Sequence, residues 1–560
     1  MFHKRARPWS TEDEDPATRL RRNLGDLFLG NDVSGARAQS LFSDAQLAGA
    51  QHVSDLARAG ARGRFPGNAS RDLTARFLRG KGWPSLYKAK LRVWDVHAQC
   101  ETTATLPMLL PHELIASLAR RNSTDCLLVR DGMSNECKDH LQQIETKVNQ
   151  SNLLGIGLWC DGVPYNWDRS QTLEVVSMSL PGLDGSNAQL RLPLFGVNKK
   201  FLLTTATFDD LFTVLSWSFR CLATGQHPSC RHDGSPFTKT DSKRKQVSET
   251  PIGLKGFLVE VRGDWAMMKQ VFRFPAWNSL SGCCWLCKCT PATLRECGSH
   301  GFWRAARWTH YEFLAQQLQA GHTLSPLFSC PFLTILCFKP DWLHAVDQGC
   351  AADFLGSLLF YLLRFFPGNT QQEQCRNLFR DIRSFYVQHR VQSRYDNLTV
   401  KMFKTKHGYK LRGKAAEVRH LVPWTKLTCE RLLDNSDAEQ NTINAACQHL
   451  AACYEQLAGA AFQVDTMRTH CKKFCLLMVA LEKTTSPQKL WRVKPKLHLM
   501  QELCEMKGDN PAKYWCYRDE DFGGSLASYA RHKGGANSFA ASGTKMLRRY
   551  MAKHQVPTLQ

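Results

Sequence analysis

Nowhere in this sequence do ~18 uncharged apolar residues run together, the length a membrane-spanning helix needs. The nearest approach, 351–366, is broken by Asp353 and Arg364, so no membrane partner is expected. Behind the basic start Met1-Phe2-His3-Lys4-Arg5 there is no apolar stretch, and no secretory leader is expected either. The 22 cysteines fall at irregular intervals, which argues against a disulfide framework and for reduced thiols with one metal site among them. No repeat of 20–50 residues and no long low-complexity tract is present, which excludes solenoids and propellers. Acids are scarce: 50 Asp and Glu stand against 73 Lys and Arg, a formal charge of +23. That balance favours a polyanionic partner without specifying a fold. What is plentiful is core material, 43% hydrophobic and 10% aromatic residues, enough to bury most of the chain. At 560 residues the chain has room for two to four domains, or for one domain carrying a large insertion. The expected class is a soluble, intracellular, basic protein.

Local patterns divide the chain further. Residues 1–36 mix both charges with Gly, Pro and Ser and read as a loose tail. Residues 37–150 read as a helical, basic region, with a helix at about 38–57 and another after Pro111. Within it, residues 71–92 hold seven Lys or Arg against Asp72, with Trp83 and Tyr87 among them. From 151 to 344 the period changes. Ile156, Leu158 and Cys160 alternate up to Asp161; Leu173 to Leu180 and Leu190 to Leu194 read as two more strands joined by turn residues. Leu211, Leu215, Phe219 and Leu222 then share a helix face, and Phe257, Val259 and Val261 alternate into Gly263-Asp264. Residues 345–490 are helical in pattern throughout. They include a basic stretch at 401–426 with eight Lys or Arg against Glu417 alone. Residues 491–543 return to mixed character, and 544–560 read as a second tail.

Three hairpin-linked strands, a helix and a fourth strand, with an acid after the first and the fourth, is the order an RNase H-like nucleotidyl-transfer core requires. Its first and fourth strands are neighbours, so Asp161 and Asp264 would meet. Facing carboxylates can hold two Mg²⁺ ions about 3.5–4 Å apart and clamp both oxygens of a phosphodiester. Taken singly, an Asp after a strand is more often a turn residue.

The wording around these acids resembles the catalytic blocks of the CACTA superfamily of DNA transposases. Trp159-Cys160-Asp161-Gly162-Val163-Pro164 is similar to the family's first block. Gly263-Asp264 followed by Ser281-Gly282-Cys283-Cys284-Trp285-Leu286-Cys287 is similar to the second. Asp341-Trp342-Leu343-His344 matches a (Cys/Asp)-x-x-His signature of eukaryotic RNase H-like transposases. Lys494-Pro495-Lys496-Leu497-His498 and Tyr514-Trp515-Cys516-Tyr517-Arg518-Asp519-Glu520-Asp521-Phe522 resemble the last block. The resemblance covers roughly 153–530 and implies a mixed α/β fold: an RNase H-like core with a large all-α insertion and a helical N-terminal region. It implies Asp161, Asp264 and Glu520 as the Mg²⁺ (or Mn²⁺) triad, cutting and rejoining DNA at transposon ends in the nucleus. Asp521 stands where the family has Arg, so Asp519 and Asp521 remain alternatives to Glu520. Glu417 is a runner-up third acid and Asp168 a rival to Asp161.

Cys284-x-x-Cys287 has the spacing of a zinc knuckle. Cys283, Cys289, Cys297, His300 and His344 are candidate partners. His344 is read either as a zinc ligand or as a brace for the active site; for it and for His498 a satisfied core histidine is the competing reading. In the basic stretch, Lys401, Lys404, Lys406, Lys410, Arg412, Lys414 and Arg419, interleaved with Phe403, His407, Tyr409 and Trp424, suit phosphate contacts and base stacking. Ser242-Lys243-Arg244-Lys245 reads as a short nuclear-localisation patch. Two alternatives to an active transposase stand beside it: a transposon-derived DNA-binding protein that no longer cuts, and an RNase H-like nuclease. Homo-oligomers are compatible with all three.

Overall fold

The computed structural model describes residues 14–559 apart from 167, 277, 280–281, 407, 460, 485–489 and 532–537. Of the residues named above, 1–5, Ser281 and His407 lie outside the described residues. The protein is mixed α/β, predominantly helical around a four-stranded mixed sheet. Among the described residues no helix is long and apolar enough to cross a membrane.

The N-terminal segment is folded further than its composition suggests. Asp15 accepts from the Thr18 amide at 2.9 Å ahead of Pro16, and Ser34 accepts from the Arg37 amide at 3.1 Å. These caps start helices Pro16–Leu29 and Gly35–Leu47. Phe28, Leu29, Phe42, Leu56 and Leu73 then form a small core, closed by Ala552 from the far end of the chain. The loose tail expected at 1–36 is thus a helix from Pro16 onward. The expected helix at about 38–57 is Gly35–Leu47, and after a break only the single turn Ser54–Ala57 follows. The tail expected at 544–560 is corrected too: helix Ala541–Lys553 buries Met546, Leu547 and Tyr550. Apolar spacing on that helix face was the signal that the charges obscured.

Nor is the region 37–150 wholly helical. Strands β1 (Tyr87–Asp95) and β2 (Cys100–Met108) pair as an antiparallel hairpin. On β1, buried Tyr87, Ala89, Leu91 and Val93 alternate with exposed Lys88, Lys90 and Arg92. The period is two, and the basic charge simply lies on the outer face.

The central sheet comprises β3 (Leu154–Pro164), β4 (Thr172–Ser179), β5 (Arg191–Asn198) and β6 (Gly256–Arg262), in the order β5-β4-β3-β6. The first three are antiparallel neighbours, and β6 joins β3 in parallel after helix Thr204–Thr224. Parallel pairing needs such a crossover. The ladder between β4 and β5 shifts register between Val176 and Ser177. Trp159 on β3 is level with Arg262 on β6. Two residues further along each chain stand Asp161 and Asp264, at one end of the sheet and with the same parity.

After the sheet, helices Gln371–Gln388, Ala415–Leu432, Ala438–Ala458 and Val464–Thr484 build the expected insertion. Its apolar residues belong to the same continuous core as the sheet, so it is welded to the rest rather than appended. The chain then returns through helices Pro495–Glu505 and Tyr517–Ala530. The latter lies directly on β3 because residue 523 is glycine. A Cβ there would sit 2.7 Å from Trp159 Cη2, inside contact distance.

Candidate active site and a buried thiolate cluster

Asp161 follows the buried run of β3, half-buried at the sheet's end. Glu520 arrives in the first turn of helix Tyr517–Ala530, and His344 on the segment Leu343–Cys350, a π-helix. One ligating atom from each of Asp161, His344 and Glu520 lies within 4.8 Å of the others. Asp264 stands just outside this group. It caps helix Trp265–Phe272, accepting from the Met267 amide at 2.6 Å.

The electrostatics of the group are those of crowded carboxylates. Burial, then the charges of Glu520 and Asp264, pushes the Asp161 carboxyl well above its usual range. Burial also raises Glu520, to about 7, with Asp341, Asp519 and Asp264 adding to it and the hydrogen bond with Asp161 opposing it. Such a pair shares a proton unless a cation takes its place. Burial disfavours the charged imidazole of His344, but Asp341 outweighs it, with help from Asp161 and Asp264, so its pKa is raised. Nδ1 of His344 donates to Asp341 Oδ2 at 2.5 Å, which leaves Nε2 facing Glu520 Oε1 at 3.8 Å. That carboxylate oxygen is buried and has no hydrogen-bond partner.

Asp341 does more than orient His344. Its two oxygens also take the amides of Leu343 at 3.1 Å and His344 at 3.0 Å, and that of Cys516 at 2.8 Å. One side chain thereby ties the strand of chain entering the insertion to the one leaving it. Asp347 adds a second tie, accepting from Tyr454 at 2.5 Å and Tyr517 at 2.7 Å.

The three consecutive acids have different surroundings. Asp519 is fully buried and pairs with Arg191 at 2.6 Å and Arg262 at 3.3 Å. Asp521 is exposed. Glu520 alone of the three faces Asp161. Glu417 instead caps its own helix, accepting from the Lys414 amide at 2.8 Å. Asp168 closes a surface turn with Ser170.

A second group is wholly buried: Cys284, Cys287, His498 and Glu502 offer ligating atoms within 4.8 Å of one another. Cys287 Sγ lies 3.2 Å from His498 Nε2, which is 3.3 Å from Glu502 Oε1. His344, a candidate partner of these thiols by sequence, is not one of them: it is committed to Asp341 and the acids. His300 is exposed, Cys297 accepts from Gln501 at 3.4 Å, and Cys283 lies 3.8 Å from Cys289. His498 and Glu502 are the partners, one helical turn apart on Pro495–Glu505. Their i, i+4 spacing was the overlooked signal.

The basic stretch divides. Lys401, Lys404, Lys406, Arg412 and Lys414 are exposed; Lys410 and Arg419 are half-buried, Arg419 lying over the Trp515 ring at 4.7 Å. Phe403 and Trp424 are core residues, and Tyr409 packs on Phe360 at 4.6 Å. The first two are therefore closed to stacking on a base, a correction to the interleaved pattern. In the 242–245 patch Arg244 is buried on Glu113 and Asp241, leaving Lys243 and Lys245 in solvent.

No protein-family model matches this chain, and no curated protein matches it significantly.

Proposed function

We propose that the protein is an RNase H-like nucleotidyl transferase acting on DNA in the manner of a transposase. The observation that carries this reading is the convergence of Asp161 and Glu520, from opposite sides of the insertion, beside His344. Hard oxygen donors, raised carboxyl pKa values and the unpartnered Glu520 Oε1 fit Mg²⁺ or Mn²⁺. When bound, such ions supply charge neutralisation at the phosphate and a stronger oxygen nucleophile. Asp161 and Glu520 would hold them, with Asp264 turning from its cap to complete the set. His344, oriented through Nδ1 by Asp341, presents Nε2 to a phosphate oxygen. The chemistry is hydrolysis of one phosphodiester followed by attack of the freed 3′-hydroxyl on a second.

The buried group has the donors of a zinc site, two sulfurs, an imidazole and a carboxylate. It would brace the segment after Asp264 against helix Pro495–Glu505. A nuclear location follows from a DNA substrate, and a homo-oligomer would allow two ends to be joined at once.

The test is Mg²⁺- or Mn²⁺-dependent cleavage of hairpin-ended and linear DNA. Asp161→Ala and Glu520→Gln should each reduce it by about 10²–10³-fold or more while DNA binding persists. A second reading, a DNA-binding descendant that no longer cuts, is favoured by the engagement of Asp264 in its helix cap. Binding without cleavage in either metal, unchanged by Asp161→Ala, would select it.

A further inference from the structure

Beside Asp264 opens a cleft of about 710 Å³ between helix Trp265–Phe272 and the start of helix Pro495–Glu505. Six cations line it: Lys269, Arg295, Lys410, Arg492, Lys494 and Lys496. Two are matched by acids, Arg295 with Glu482 and Lys494 with Asp353, each at 2.6 Å. Lys269, Lys410 and Lys496 have no carboxylate partner among the described residues. Lys496 holds the carbonyl of His344 at 2.7 Å, which sets its ammonium next to the acid group. Residue 349 makes room for that lysine by being glycine, since a Cβ there would lie 2.8 Å from Lys496 Cδ. The indole of Trp265, half-buried and edge-on to Trp285 at 5.8 Å, forms part of the same wall. A smaller cavity of about 300 Å³ continues past Lys410 to Tyr409 and Arg412.

We propose that this cleft holds an unpaired strand of DNA beside the carboxylate site, with its phosphates on Lys269, Lys410 and Lys496 and a base against Trp265. The inference rests on the DNA-processing reading above and adds the form of the substrate. Three features select a single strand. The volume is on the scale that takes a drug-sized ligand, ~300–1,000 Å³, room for a nucleotide or two and not for a duplex. Unmatched ammonium groups suit phosphates, and an aromatic wall suits a base released from its stack. An acidic peptide would use the lysines but leave the indole without a role.

The experiment measures binding of labelled oligothymidylate and of a blunt duplex to the full chain in EDTA, across a salt series. The parent should bind the single strand. Trp265→Ala should weaken that binding roughly 5- to 150-fold, the equivalent of one lost base stack, and duplex binding by much less. Trp265→Phe should recover most of the loss. Lys269→Ala combined with Lys410→Ala should lower the single-strand salt slope by ~0.7 per lost contact; because both changes are at partly or fully exposed positions, this pair decides the matter if Trp265→Ala is unstable. Single-strand binding that is unchanged in these variants, or lost in step with duplex binding, overturns the cleft as the strand's track. If the parent nonetheless cleaves duplex DNA, the proposed function survives that result. A parent that binds neither DNA overturns both.

Discussion

The two clusters differ in openness and in chemistry, yet they are assembled alike. The acid group is half-buried, oxygen-rich and electrostatically strained by its own carboxylates. The cysteine group is sealed, with all four members buried and soft sulfur donors in half the positions. Exchangeable Mg²⁺ and a substrate phosphate need the first arrangement; a structural zinc with four protein donors needs the second. Both begin before the helical insertion, at Asp161 and at Cys284-x-x-Cys287, and both are completed after it, by Glu520 and by His498 with Glu502. The segment following the insertion therefore both closes the core and completes the two clusters.

The comparison can be broken first at the thiolates. Purified protein should carry about one zinc per chain that survives brief EDTA treatment, whereas Mg²⁺-dependent cleavage stops at once. Cys287→Ser should release the metal. If the site contributes on the order of 5 kcal/mol, the Tm should fall by more than ~10 °C, at ~2–4 °C per kcal/mol for units of this size. Metal analysis without zinc, together with fast alkylation of both thiols, would reduce the cluster to buried sulfur.

Next in size is the role of the neighbours of Glu520. Asp519→Ala strands Arg191 inside the protein and leaves Arg262 to Glu260 alone, and breaking a buried pair costs ~3–5 kcal/mol. Asp521→Ala touches only solvent and should stay within ~0.5 kcal/mol of the parent. Equal effects in a denaturation series would contradict the assigned register.

A comparable effect concerns pH. Burial raises Asp347 from 3.8 to about 7, against the hydrogen bonds from Tyr454 and Tyr517. The folded protein thus binds a proton there that the unfolded chain has already released above pH ~4. Stability should fall as pH rises from about 4 to 7, by up to ~1.4 kcal/mol per pH unit from this group, and level off beyond. Asp347→Asn, uncharged throughout, should flatten the profile. An unchanged slope would show that the proton resides elsewhere.

The smallest expected change is on the insertion's surface. Replacing exposed Lys404, Lys406 and Arg412 by Ala should lower the salt slope of duplex binding by ~0.9 per lost contact and leave the Tm unmoved. No change in slope would leave these side chains as a solvated face.

How far the sequence reaches follows from what each feature depends on. The four strands of the central sheet were legible, since alternation and turn residues are local signals, whereas the hairpin β1–β2 was hidden inside a region read as helical. The partners of Cys287 were not: His498 is 211 residues away, and only tertiary packing shows that it faces sulfur. Among Asp519, Glu520 and Asp521 no local pattern distinguishes an ion-paired carboxylate from a free one. The helix begun at Pro16 was hidden by its charges, although its N-cap Asp15, and Ser34 ahead of the next helix, stood in the sequence.

The bond from Cys516 N to Asp341, spanning 175 residues, bears on the protein's evolvability. It pins the two ends of the insertion beside the acids, so connections between the insertion's helices on the side away from the core can lengthen without moving the site. Doubling a flexible closed loop costs only ~0.6 kcal/mol. Helices could be added or exchanged at its far side, and with them the surface that grips a partner, while the carboxylates stay where Asp341 sets them.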